Sequence, residues 1–202
     1  MVKRARNFCQ LTASLGNGLF CQIKDRNCVG KNCKSIHVEV DKSSYSMPNE
    51  YAITHLEWTA NVNFQSGSIF ANAKYNITLG EKSIDEIQFD SSSLLVIHSI
   101  PNCESHPMTY SLSNKDPSKP HLGRCLRISI PSSCWFSASG RNIQVIIEYE
   151  TTGGCSALQW LPPSQTSGKH YPYLFTQCQA IHDRSLLPSM DCPGVKFTYE
   201  AR

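Results

Sequence analysis

The strongest constraint on the fold of this chain is a pair of neighbouring segments in which every second residue is apolar. The alternating apolar residues are Leu56, Trp58, Ala60, Val62 and Phe64, and then Ile69, Ala71, Ala73, Tyr75, Ile77 and Leu79. Successive side chains of a strand point to opposite faces, so this period of two predicts two strands, each buried on one face. Residues 65–68 read Gln-Ser-Gly-Ser, which is typical of a turn. The pattern therefore predicts a long antiparallel hairpin.

Shorter segments of the same kind follow at regular spacing. The candidate strands are 84–89, 94–97, 108–112, 126–130, 143–149 and 195–201, and residues 114–123 are predicted to form a loop. No segment before residue 175 shows a convincing helical period. We therefore predict an all-β fold, a β-sandwich of mostly antiparallel strands over residues 49–202. Residues 1–48 show no clear periodicity and are predicted to be an irregular extension. The final strand has no element after it, which suggests that the chain is truncated.

The ten cysteines among 202 residues allow two interpretations. A secreted β-sandwich could form five disulfides, whereas a cytosolic protein would keep reduced, mostly buried thiols. Residues 7–23 are uncharged but carry several polar side chains, so they make a poor apolar core for a secretory signal. We therefore favour a cytoplasmic protein with reduced cysteines. An organellar presequence also fits loosely, because no acidic residue precedes Asp25.

Several classes of function find no support in the sequence. The slight excess of 19 basic over 16 acidic residues, with no long basic run, does not indicate nucleic-acid binding. No run of 18 apolar residues predicts a membrane-spanning helix. The zinc helix pattern H-E-x-x-H, the G-x-S-x-G elbow and the phosphate-binding P-loop are all missing. The spacing of Cys21, Cys28, Cys33 and His37 differs from that of known zinc sites.

Three local features near the C-terminus are candidates for a catalytic or binding role. Cys178 lies four residues before His182, so a catalytic thiol–imidazole pair on a helical face is conceivable, although a buried thiol beside a surface imidazole is the preferred interpretation. Asp183 and Arg184 are predicted to form local surface contacts. Gln177 and Gln179 stand in an otherwise apolar run and are predicted to be buried, either held by internal hydrogen bonds or lining a polar cleft.

A long block of the sequence resembles a known family. Residues 156–161 (Ser-Ala-Leu-Gln-Trp-Leu), 165–169 (Gln-Thr-Ser-Gly-Lys) and 172–182 (Pro-Tyr-Leu-Phe-Thr-Gln-Cys-Gln-Ala-Ile-His) carry the resemblance, which extends over roughly residues 52–202. The block resembles the leukotriene A-4 hydrolase and aminopeptidase B branch of peptidase family M1. The sequence departs from the family pattern at residues 189–194, which read Ser-Met-Asp-Cys-Pro-Gly. Only Asp191 and Pro193 follow the pattern there.

The resemblance implies a saddle-like, all-β N-terminal domain of a zinc aminopeptidase, which removes N-terminal residues from peptides and in one branch opens a lipid epoxide. It also implies that the Gln-x-Gln-Ala segment reaches the active site. On that basis Gln179 is expected to contact the substrate amine, and Gln177 and Ala180 are expected to line the pocket. A neutral amide suits this task, because it can accept from an ammonium group and donate to a carbonyl.

The resemblance places the zinc ligands and the catalytic groups beyond residue 202. We therefore expect no cofactor and no catalytic residue in this chain, which would be inactive alone and would work with a catalytic domain in cis. The alternative is a truncated, non-catalytic protein that serves as a binding or regulatory module.

Overall fold

The computed structural model describes residues 41–80, 84–101, 108–131 and 141–202, together with the backbone of residues 3–4. The strands are β1 (Lys3–Arg4), β2 (Tyr51–Asn63), β3 (Ser68–Leu79), β4 (Glu86–Ser91), β5 (Leu95–Ser99), β6 (Tyr110–Leu112), β7 (Arg124–Ser129), β8 (Asn142–Thr151), β9 (Leu158–Leu161), β10 (Tyr173–Thr176) and β11 (Thr198–Ala201). Four single-turn 3₁₀ helices, η1 to η4, span Pro120–Leu122, Pro163–Gln165, Ser167–Lys169 and Asp183–Ser185. The described residues contain no α-helix, and the prediction of an all-β, mostly antiparallel fold is confirmed.

The largest sheet has six strands in the order β1-β11-β2-β3-β8-β5. The predicted hairpin is its centre: β2 and β3 pair antiparallel from Tyr51 opposite Leu79 to Asn63 opposite Ser68. One bulge lies between Ile53 and His55. The pairing of β11 with β2 is parallel, so the C-terminal strand closes onto the first long strand. A three-stranded sheet in the order β4-β7-β6 and a two-stranded sheet of β9 and β10 complete the fold.

One continuous core joins the first two sheets. Tyr75 of β3 and Phe89 of β4 meet edge to face, with their ring centroids 5.0 Å apart. The indole N–H of Trp58 donates to the hydroxyl of Tyr149 at 2.8 Å, so the polar ends of two large buried side chains satisfy each other. Apolar burial of this kind is the main stabilising contribution to the fold.

The far end of the hairpin departs from the predicted pattern of burial. Leu56 and Trp58 are buried as expected, but Val62 and Phe64 are 44% and 48% exposed. The reason is geometric: β2 extends beyond the neighbouring core, and Phe64 instead packs edge to face on Trp160, with ring centroids 5.4 Å apart. The alternation therefore predicted the strand correctly, although it did not predict where the covering layer ends.

Other predictions have mixed outcomes. Residues 158–161, which are not among the predicted strands, form β9. The four cysteines within the described ranges, Cys125, Cys155, Cys178 and Cys192, are free and buried. The residues Cys21, Cys28, Cys33 and His37 lie outside the described part of the chain. Most of the extension 1–48 also lies outside it, so the boundary near residue 49 stays a prediction.

Candidate functional site

The segment that carries the candidate site residues directly continues β10. The backbone N–H of Gln177 donates to the carbonyl of Ala157 at 2.9 Å, which extends the β9–β10 pairing by one residue. Gln177, Gln179 and Ala180 are exposed, whereas Cys178 between the glutamines is 2% exposed and belongs to the core. The buried thiol therefore anchors a segment whose flanking amides face solvent, as expected for alternating side chains of an extended chain.

The two glutamines were predicted to be buried, and this prediction is wrong. Their side-chain amides form no hydrogen bond with any residue that the structure describes. The cause is the position of the segment at the rim of the small β9–β10 sheet, where only one side has a packed layer. Both amides consequently keep their full capacity to donate and accept.

The aromatic residues that precede the glutamines lie on the same side of the chain. Tyr173 and Phe175 are stacked with ring centroids 6.4 Å apart, and Gln177 and Gln179 follow at the same two-residue spacing. Tyr173 is 51% exposed. We call these four residues the aromatic–amide row, and we note that it presents stacking surfaces and neutral hydrogen-bonding groups next to each other.

A tight turn follows the row. The peptide bond between Gln179 and Ala180 is cis, and Ile181 has a φ of 54°. The N–H of His182 donates to the carbonyl of Cys178 at 3.1 Å and closes the turn. The imidazole Nε2 of His182 lies 3.0 Å from the hydroxyl of Ser156, which precedes β9. Two hydrogen bonds therefore fix the turn, one to its own start and one to the neighbouring strand.

The catalytic thiol–imidazole pair of Cys178 and His182, the less favoured of the two interpretations above, gains no support. These residues do not share a helical face, because the segment is a turn, and the imidazole is hydrogen-bonded to Ser156. Cys178 is buried in the core, and a thiol away from solvent is poorly placed to attack a substrate.

Behind the turn lies a buried charged network that the sequence did not predict. Arg184 was assigned to the surface, but its side chain is 3% exposed. Its Nε donates to the carboxylate of Asp191 at 2.9 Å, and one of its terminal nitrogens lies 3.8 Å from a carboxylate oxygen of Asp90. The other donors bind the carbonyls of Leu122 and Ser43, each at 2.9 Å. Asp183, also assigned to the surface, is buried and accepts from the hydroxyl of Ser189 at 3.1 Å.

Asp90 is the acceptor at the centre of this network. It accepts from the hydroxyls of Ser44 and Ser46 at 2.5 and 3.1 Å, and from the backbone N–H groups of Tyr45 and Asp191 at 2.8 and 3.0 Å. Burial raises the pKa of Asp90, and the guanidinium of Arg184 and these donors oppose that rise. The network connects residues 43–46, which precede β2, with η1, η4 and residues 189–191. No sequence pattern marks it, because its members are spread along the chain from Ser43 to Asp191.

Among the residues described, no group of three His, Cys, Asp or Glu side chains is arranged to hold a metal ion. We therefore derive no zinc-dependent step from this part of the chain. The same residues include no helix that is long and apolar enough to cross a membrane.

Comparison with known proteins places this arrangement in context. Residues 47–202 match the family model of the peptidase M1 N-terminal domain. The chain is 37% identical over 163 residues to leucine aminopeptidase 2 of Lodderomyces elongisporus, covering 80% of this chain and 24% of that protein. It is 35% identical over 159 residues to leukotriene A-4 hydrolase of Xenopus laevis, covering 79% of this chain and 25% of that protein.

Solved structures give the same result at the level of the fold. The structure of yeast LTA4 hydrolase in complex with bestatin superposes with a TM-score of 0.71 at 30% identity, covering 84% of this chain and 25% of that chain. The chain therefore spans about a quarter of the length of these relatives. The resemblance inferred from residues 156–182 is confirmed.

Proposed function

Because the chain belongs to the peptidase M1 N-terminal domain family, we propose that it supplies substrate-binding groups to a leukotriene A-4 hydrolase-like zinc aminopeptidase. The parent enzyme would remove N-terminal residues from peptides, and the name of one relative, leukotriene A-4 hydrolase, adds the hydrolysis of leukotriene A-4 as a second activity. The present residues would provide part of the binding cleft and an interdomain surface. Zinc and the groups that perform the reaction would belong to a catalytic domain in cis.

The observation that carries the proposal is the exposure of two amides without internal partners. In this proposal Gln179 contacts the amino end of the peptide, and Gln177 and Ala180 line the same pocket. The amide oxygen of Gln179 would accept from the substrate ammonium group, while its NH₂ group would remain able to donate to a peptide carbonyl. A neutral side chain suits this position, because it binds the ammonium without adding a charge that must be desolvated.

The aromatic surface beside these amides supports docking of a catalytic domain. Tyr171 is 80% exposed and Tyr173 is 51% exposed. Exposed aromatic clusters of this kind usually mark interaction sites. A domain that packs against them would cover the apolar area and bring its own groups to the aromatic–amide row.

The location that we propose is the cytoplasm. The four described cysteines are free and buried, a state that is expected for a protein kept in a reducing compartment.

The first experiment measures the size of the native product with an antibody raised against residues 156–182, followed by intact-mass analysis. We expect a polypeptide about four times as long as the aligned segment, because that segment is 24% of leucine aminopeptidase 2. A native product that ends near Arg202 would contradict the proposal. It would favour the alternative of a non-catalytic binding or regulatory module.

The second experiment tests the role of the amide in that native enzyme. Gln179→Leu removes both hydrogen-bonding groups with little change in volume, and we expect kcat/KM for an aminoacyl anilide to fall about 10- to 100-fold, as for a lost hydrogen bond to a charged group. Gln165→Leu, at an exposed amide in η2, is the matched control and should leave kcat/KM unchanged. Equal activity of Q179L and Q165L would show that Gln179 does not bind substrate.

A further inference from the structure

A concave site lies beside the turn that follows the aromatic–amide row, and Ile181 and His182 of that turn contribute to its lining. It is a cleft of about 230 Å³, and it combines the loop before β5, the segment around η1, the start of β9 and the region of η4. Its lining includes Ser92, Lys115, His121, Ser156 and His182. None of Gln177, Gln179 and Ala180 lines it. The cleft is therefore distinct from the surface that we assign to the peptide.

The chemical character of the cleft is that of a donor-rich, cationic site. Lys115 supplies an ammonium group, and His121 and His182 supply imidazoles. The hydroxyls of Ser92, Ser93, Ser156 and Ser185 add further donors. The described lining contains no carboxylate. Asp116, next to Lys115 in sequence, instead accepts from the backbone N–H and the hydroxyl of Ser118 at 2.9 and 2.7 Å.

The Ser156–His182 hydrogen bond leaves a donor available whichever way its proton points. If the hydroxyl of Ser156 donates to Nε2, the second ring nitrogen of His182 carries a hydrogen and has no partner among the described residues. If Nε2 donates instead, the hydroxyl of Ser156 keeps its own hydrogen for another acceptor. The pair therefore contributes one free donor in either tautomer.

The side chain of Arg184 lines the cleft, but its guanidinium group is not available to bind a ligand there. Its Nε and terminal nitrogens are occupied by Asp191 and by the carbonyls of Leu122 and Ser43. Its aliphatic stem approaches Gly123, where a Cβ atom would come within 3.5 Å of Arg184 Cδ. The buried network that holds this guanidinium thereby fixes η1 and η4, which carry His121 and the segment next to His182.

We propose that this cleft binds a small phosphate-type oxyanion, either inorganic phosphate or the phosphate group of a small monoester. A tetrahedral dianion has several acceptor oxygens, which match an ammonium, two imidazoles and a ring of hydroxyls. A metal cation would meet no carboxylate within the described lining, and an apolar ligand would meet only Leu94, Pro120 and Ile181. The inference does not depend on the peptidase function proposed above.

The test is a titration of the ¹⁵N-labelled 202-residue chain with inorganic phosphate, followed by two-dimensional NMR at constant ionic strength and pH. We expect saturable shifts confined to the residues around Lys115, His121, Ser156 and His182. Glycerol 2-phosphate, added in a second titration, distinguishes the two sources: tighter binding than inorganic phosphate assigns the site to a monoester, and weaker binding assigns it to free phosphate. Chloride in a third titration reports non-specific charge screening.

A pair of double variants tests whether phosphate binds in this cleft. The double variant Lys115→Gln/His121→Gln should weaken phosphate binding at least about threefold, as expected for the loss of an exposed charge and a donor. The matched control Lys169→Gln/His170→Gln removes the same groups from an exposed turn outside the cleft and should not change the affinity. The NMR spectra of the two double variants report whether each variant keeps the fold. Shifts that do not saturate, equal shifts with chloride, or equal weakening in both variants would overturn the proposal.

Discussion

At the scale of single residues, the molecule depends most on Arg184, because one buried guanidinium satisfies acceptors from four separate segments. Removing it would leave the fully buried carboxylate of Asp90 and the largely buried carboxylate of Asp191 without their cation. Breaking a buried pair in this way costs about 3 to 5 kcal/mol. We therefore expect Arg184→Met to lower the free energy of unfolding by about that amount in denaturant titrations.

The control for this prediction is Arg202→Met. Arg202 lies 3.7 Å from Glu200, but its side chain is 80% exposed, so the pair should contribute very little. If the two methionine variants were equally stable, the network around Arg184 would not stabilise the fold.

At the scale of elements, one glycine sets how closely the end of β4 approaches the start of β7. Gly123 has a φ of 69°, and a Cβ atom there would lie 2.3 Å from the carbonyl oxygen of Ser91. An alanine is strained in this conformation and must also push the two backbones apart. We expect Gly123→Ala to lower the free energy of unfolding by about 2 to 4 kcal/mol.

Gly194→Ala is the matched control in the same measurement. A Cβ atom at Gly194 meets no atom within 4 Å, and its φ is not in the left-handed region. The loss of conformational freedom in the unfolded chain should make this variant about 0.4 to 1 kcal/mol more stable. A stable G123A protein would show that β4 and β7 can separate at this point without cost.

A strand could be predicted from the sequence where its own residues alternate between apolar and polar. The hairpin of β2 and β3 was anticipated at 56–64 and 69–79 because a strand buried on one face must alternate, and the observed strands differ from those ranges by a few residues at their ends. By contrast, β9 has four residues followed by prolines, so its alternation is too short to separate it from a loop.

The candidate site was predictable only in part, for a related reason. Gln177 and Gln179 were singled out as amides in an apolar run, and the resemblance to a family gave them a role. Their exposure was not predicted, because burial depends on which layer covers the segment. The pairing of Ser156 with His182 and of Asp90 with Arg184 joins residues far apart in sequence, and local patterns contain no information about such contacts.

At the scale of the whole molecule, the state of the cysteines follows from their burial. Cys125, Cys155, Cys178 and Cys192 are free and shielded from solvent. We expect that none of these four thiols reacts rapidly with a disulfide reagent in the native protein at neutral pH, and that all four react after unfolding without reductant. Peptide mapping of the labelled sites gives the measurement. Rapid labelling of any one of them in the native state would contradict the buried arrangement.

The same burial predicts how stability depends on alkaline pH. Burial raises the pKa of the thiols of Cys125 and Cys192 to about 11, and it also raises the pKa of the phenols of Tyr51, Tyr75 and Tyr149. The ordinary thiol value of 9.0 applies in the unfolded chain, so between about pH 9 and pH 11 the unfolded state releases protons that the folded state keeps. The contribution of these groups to the free energy of unfolding should therefore be constant up to about pH 9 and fall from there to pH 11.

Denaturant titrations at fixed ionic strength, with reductant present, measure this dependence. The double variant Cys125→Ala/Cys192→Ala should lose part of the slope between pH 9 and pH 11, whatever its stability at neutral pH. The remaining slope belongs to the thiol of Cys155 and to the buried tyrosines, because burial raises their folded-state pKa values in the same direction. A free energy of unfolding that stays level from pH 7 to pH 11 would mean that these groups reach solvent in the native state. The single core formed by β3, β4, β7 and β8 would then not be closed.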